Sequence, residues 1–127
     1  MLVRRVLALA IFAAVGCGEH EPPTRTVVRG HVSFRGAVLP GGLIVFTPDA
    51  DFGGRGPCAV GTIASDGSYT LLTDGTPGAT PGKYRVTIAG PEAWRLPDRF
   101  LDPQSSGLHA DVVAGQEFVV DFRLDDR

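Results

Sequence analysis

From Thr26 onward, apolar and polar residues alternate with a period of two. Val28, Gly30, Val32 and Phe34 alternate with Arg29, His31, Ser33 and Arg35. That is the pattern of a strand with one buried face. A turn at Leu39-Pro-Gly-Gly42 leads to a second strand, Leu43 to Thr47, closed by Pro48. Asp49 to Pro57 reads as a loop. Cys58 to Ala64 and Ser68 to Thr73 read as two strands joined by the hairpin signal Ser65-Asp66-Gly67. After a second loop, Asp74 to Gly82, the strand Lys83 to Ala89 sets Tyr84, Val86 and Ile88 on one face. Lys83, Arg85 and Thr87 take the other. A long connection over 90–107, with three prolines, precedes two last strands, Leu108 to Val113 and Phe118 to Leu124. No window has helical spacing. The pattern predicts an all-β fold, a seven-stranded antiparallel β-sandwich over 26–127.

Composition agrees with many short strands joined by turns. The chain has 127 residues with 17 Gly and 10 Pro, and is 43% hydrophobic and 20% charged. These values exclude a coiled coil, a collagen-like rod and a disordered chain. The length excludes a multi-domain enzyme. The net charge is −2 without a basic stripe, so nucleic acid is not an expected partner.

The first sixteen residues read as an address. Arg4 and Arg5 precede an uncharged run, Val6 to Val15, too short to cross a bilayer as a helix, which takes roughly 20 residues. A basic start, a short apolar stretch and small residues before a cut site mark a secretory signal. Ala14-Val15-Gly16-Cys17 resembles the lipobox of bacterial lipoproteins, although that family prefers Leu where this chain has Ala14. The resemblance implies that residues 1–16 are removed and that Cys17 becomes the lipidated first residue. Residues 17–25 then serve as the lipidated Cys and tether. Two or more hydrocarbon chains hold a protein to a membrane stably, where one does so only marginally. Gly18 and Glu19 after the Cys, with no Asp, favour the outer membrane by resemblance to enteric lipoproteins. Removal of Arg4 and Arg5 leaves 10 basic and 14 acidic residues, and Cys58 as the only free thiol.

Val28-Arg-Gly-His-Val32, Leu39-Pro-Gly-Gly42, Val45-Phe-Thr-Pro48, Asp66-Gly-Ser-Tyr69 and Pro81-Gly-Lys-Tyr84 resemble carboxypeptidase-regulatory-like domains. Leu96-Pro-Asp-Arg-Phe100, Asp102-Pro103 and Ser105-Ser-Gly-Leu108 resemble small lipoproteins abundant in planctomycete-type bacteria. The likeness covers about residues 26–124. It implies a transthyretin-like (prealbumin-like) sandwich in the cell envelope, acting as an accessory module. It brings no catalytic residues and no cofactor.

The candidate chemistry is sparse. Asp49 and Asp51 offer oxygens to Ca²⁺, but the loop lacks the further acids of a full calcium site, and a solvated turn is expected. His31 and His109 fall on polar strand faces, with no zinc-ligand spacing. Cys58 has no neighbour that would lower its pKa and is expected to be a buried, inert thiol. Ser65, Ser105 and Ser106 lack the Gly-x-Ser-x-Gly setting of a hydrolase nucleophile. Trp94, Arg95, Arg99 and Phe100, in the 90–107 connection, pair aromatics with Arg as contact surfaces do. These four are the candidate contact residues for an envelope protein or glycan, unless Trp94 and Phe100 fold back to cap the sandwich. The expectation is a non-catalytic, membrane-anchored structural or interaction module. The alternative is a carbohydrate- or ligand-binding envelope lipoprotein working through the 91–107 loop.

Overall fold

A computed structural model describes residues 25–126. The signal-like segment and Cys17 lie outside them. Eleven strand segments form two sheets: β1 (Val27–Phe34), β2 (Ala37–Val38), β3 (Leu43–Pro48), β4 (Ala59–Thr62), β5 (Ser68–Thr70), β6 (Leu72–Thr73), β7 (Thr76–Pro77), β8 (Gly82–Ala89), β9 (Leu108–Val112), β10 (Glu117–Val119) and β11 (Phe122–Leu124). The larger sheet has the order β7-β6-β4-β3-β8-β9 and is antiparallel throughout. In the smaller sheet β1 is central, with β10 and β11 along one flank and β2 and β5 also paired to it. The protein is thus mostly β and built of two sheets around one core.

The core forms where the alternation predicts it. Val28, Val32 and Phe34 of β1 meet Ile44 and Phe46 of β3 and Val86 and Ile88 of β8, all buried. Phe46 and Phe122 cross from opposite sheets edge to face, with ring centroids 6.1 Å apart. Such contacts between inner faces carry most of a sandwich's stability.

The observed arrangement of strands departs from the expected one in several respects. First, the pairing is not antiparallel throughout: β1 runs parallel to β10 and β11, with Val27 opposite Glu117 and Phe34 opposite Leu124. Second, the expected strand from Ser68 to Thr73 is two strands in different sheets. Its first half pairs with β1 and its second half with β4, the chain crossing at the fully buried Leu71. The Ser65–Gly67 turn does form, with Gly67 at φ +84° and the Ala64 N–H bonded to the Ser68 carbonyl at 2.8 Å. The strands it joins then diverge instead of continuing as a hairpin. Third, the stretch read as a loop from Asp74 contains a real hairpin. Asp74 and Gly75, at φ +52° and +79°, turn β6 into β7, as a two-residue primed turn requires.

The last expected strand is also interrupted, at Val120 and Asp121. The register is the same on both sides of the break, so no residue has been inserted. The Tyr69 hydroxyl instead donates to the Val120 carbonyl at 2.6 Å, and the Asp121 carboxylate accepts from the His31 N–H at 2.9 Å. Tyr69 sits opposite Gly30 on the other flank of β1. It reaches Val120 because Gly30 places no Cβ in the way: one there would lie 1.8 Å from the Val120 oxygen. Burial pushes the Tyr69 phenol far above its usual range, so it stays a donor at any physiological pH.

Candidate functional site

The strands give the domain two distinct ends. One holds Thr26, which exchanges backbone hydrogen bonds of 2.9 Å with Ala79 and donates its hydroxyl to the Val113 carbonyl at 3.2 Å. The Asp49–Cys58 loop lies at this end too, through the bond of 2.9 Å from the Asp49 N–H to the Lys83 carbonyl. The opposite end holds the 90–107 connection, where β3 and β8 end their ladder at Leu43 and Ala89.

The 90–107 connection is tied down along its length. Two 3-10 turns, Glu92–Trp94 and Asp98–Leu101, shape it. Ser106 is buried and donates to the Val86 carbonyl at 2.6 Å, and the Ser105 hydroxyl donates to the Arg99 carbonyl at 2.9 Å. The four expected contact residues separate here. Phe100 is 2% exposed and belongs to the core, so its role is in folding. Arg99 lies over the Phe100 ring at 4.3 Å and donates to the Asp125 carbonyl at 3.3 Å. Arg95 is exposed, with φ +51°. Trp94 is half-buried against Phe34, ring centroids 6.4 Å apart. Trp94, Phe34, Arg35, Ala37 and Ala93 line a shallow cleft of about 320 Å³, with the Arg35 guanidinium 5.0 Å from the Phe34 ring centre.

At the Thr26 end, Asp49 and Asp51 are bridged by an arginine. Asp49 is 2% exposed; its carboxylate accepts from the Asp51 N–H at 3.0 Å and lies 3.2 Å from Arg85 Nε. A terminal nitrogen of the same guanidinium bonds Asp51 at 2.7 Å, and the other donates to Gln104 at 3.3 Å. The pair considered for Ca²⁺ therefore already encloses a cation of the chain's own. Arg85 was legible only as a residue on a polar face, because nothing in local spacing links it to Asp49. Beside this network a cleft of about 420 Å³ is lined by Asp49, Phe52, Lys83, Tyr84, His109 and Asp111, among others. The Lys83 ammonium bonds Asp111 at 3.0 Å and lies 5.3 Å from the centre of the Phe52 ring. The Tyr84 hydroxyl donates to the Thr80 carbonyl at 2.6 Å, and burial raises its pKa.

Cys58 corrects an expectation: it is exposed, not buried. Ladder pairing starts one residue later, with Ala59 opposite Phe46 and facing inward, so Cys58 points out, its sulfur 3.7 Å from the Thr47 hydroxyl. His31 and His109 are exposed on polar faces, as expected. Among the described residues no three His, Cys, Asp or Glu side chains gather as a metal site would require. The hydroxyls of Ser105 and Ser106 are committed to backbone carbonyls and not to a base. No family model, curated protein or solved structure matches the chain.

Proposed function

We propose that this chain is a non-catalytic, lipid-anchored module of the cell envelope, held at the outer membrane through Cys17. It would act in structure or interaction through the end of the sandwich that carries Trp94. One observation carries the reading: a basic, apolar and small-residue pattern ends at Cys17, and the folded domain begins at Thr26. The eight residues between them reach at most about 27 Å at roughly 3.4 Å per residue. An eight-residue strand such as β1 then carries its far end about 26 Å further from the bilayer. The two-sheet β architecture and the committed hydroxyls support an accessory module, and with the quoted motifs they support the transthyretin-like reading.

The test is the intact mass of the protein from a bacterial membrane fraction. The expected species begins at Cys17 and carries a diacylglycerol and an acyl chain. An unmodified chain in the soluble fraction, cut elsewhere, would overturn the anchored reading.

A second reading, glycan or ligand binding at the same end, is favoured by the Trp94–Phe34–Arg35 cleft. On the first reading, Trp94→Ala leaves binding to an envelope-glycan array unchanged. A fall of more than tenfold in affinity for any glycan on that array would promote the binder.

A further inference from the structure

We propose that the end of the sandwich carrying Phe52 and Val113 rests on the bilayer surface, so that the domain stands on its anchor end; this rests on the anchored reading above. Three independent observations converge there. The chain outside the described residues joins the domain at this end, since Arg25 leads directly into the pinned Thr26. That outside segment contains Cys17 and the apolar run before it.

The two most exposed large apolar side chains among the described residues lie at this end. Phe52 is 66% exposed and Val113 61% exposed. Phe52 is no stray loop residue. It closes a 3-10 turn whose Asp49 side chain caps the Asp51 N–H and whose Gly53, at φ +78°, ends it by bonding back to Ala50. A ring held out of the core by a built turn is suited to an apolar boundary. Lys83 lies against that ring, and Arg55 is exposed three residues on. Both can keep their charge at headgroup level while Phe52 dips below it.

Charge divides the ends in the same sense. At the anchor end, Asp49 and Asp51 are bridged by Arg85, Asp111 is met by Lys83 and Glu117 by Arg29, leaving Asp74 in the β6–β7 turn. The opposite end gathers Asp66, Glu92, Asp98, Asp102, Asp125 and Asp126 against Arg35, Arg95 and Arg99. An anionic lipid surface repels that end and accepts the other.

The test uses the full lipidated chain in vesicles of phosphatidylcholine and phosphatidylglycerol containing a nitroxide-labelled lipid quencher. A fluorophore is placed on Cys58, at the anchor end, or on the thiol of Ala93→Cys in a Cys58→Ser background. Quenching at Cys58 should be several-fold stronger than at position 93. Phe52→Glu should abolish the difference while the chain still floats with the vesicles. Equal quenching at both ends of a floating chain overturns the proposal and leaves the anchor standing. Shielding of the Cys58 dye from an aqueous quencher, without quenching by lipid, assigns the face to a protein and also overturns it. A chain that does not float and takes up a second dye on Cys17 overturns the anchored reading, and this proposal with it.

Discussion

Gly30→Ala is expected to lower the unfolding free energy by about 2–6 kcal/mol. The φ of Gly30 is not in the left-handed region, so the effect is steric. The new methyl would lie 1.8 Å from the Val120 oxygen and 3.0 Å from an Asp121 carboxylate oxygen. The first is backbone and cannot swing aside, so β10 and β11 must withdraw from β1. That displacement combines an overpacking cost of about 1–3 kcal/mol with loss of the part-buried Tyr69–Val120 hydrogen bond, about 1–3 kcal/mol. Gly36→Ala is the comparison: φ is +83° and nothing lies within 4 Å, so only backbone strain of about 1 kcal/mol applies. Urea titrations followed by Trp94, the single tryptophan, measure both. A Gly30→Ala protein within 1 kcal/mol of the parent would refute the account of the break at Val120.

Arg85→Met should cost about 3 kcal/mol, because it leaves the Asp49 carboxylate buried with the Asp51 N–H as its remaining partner in this network. The Arg85 side chain keeps 18% exposure, which lets water reach the gap and holds the cost to the lower part of the range for broken buried pairs. Adding Asp49→Asn removes the stranded charge and should recover much of the loss. Arg85→Lys should recover little, since one ammonium cannot replace three nitrogens directed at Asp49, Asp51 and Gln104. The decisive quantity is the coupling in the double-mutant cycle. If Arg85→Met costs the same with Asn at position 49, the two side chains are not energetically linked.

Much of the fold is written in the alternation of side chains. Val28, Val32 and Phe34 in β1, and Tyr84, Val86 and Ile88 in β8, face inward as a period of two demands. What alternation does not encode is partnership. It marks Ser68 to Thr73 as extended, yet the switch of sheets at Leu71 depends on which ladders are free on either side. It marks the first and last strands, yet their parallel pairing is a property of the assembled sheet. The candidate sites follow the same rule. Trp94 and Phe100 look alike in sequence, as two aromatics beside arginines among prolines. Only the depth they reach separates them: Phe100 is buried in the core, while Trp94 packs on the core residue Phe34 and stays half-buried. Cys58 faces outward because pairing begins at Ala59, a boundary that a one-residue shift would reverse.

The parallel ladder between β1 and the final strands also has a consequence in time. Its partners are ninety residues apart, and closing a loop of that length costs about 4 kcal/mol of chain entropy before any contact repays it. The central strand of the smaller sheet therefore completes its hydrogen bonding last, as in other folds dominated by distant pairings. A chain that emerges N-terminus first has a finished core only after Phe122 and Leu124 have emerged. Until then the flank of β1 that takes β10 and β11 stays an open edge.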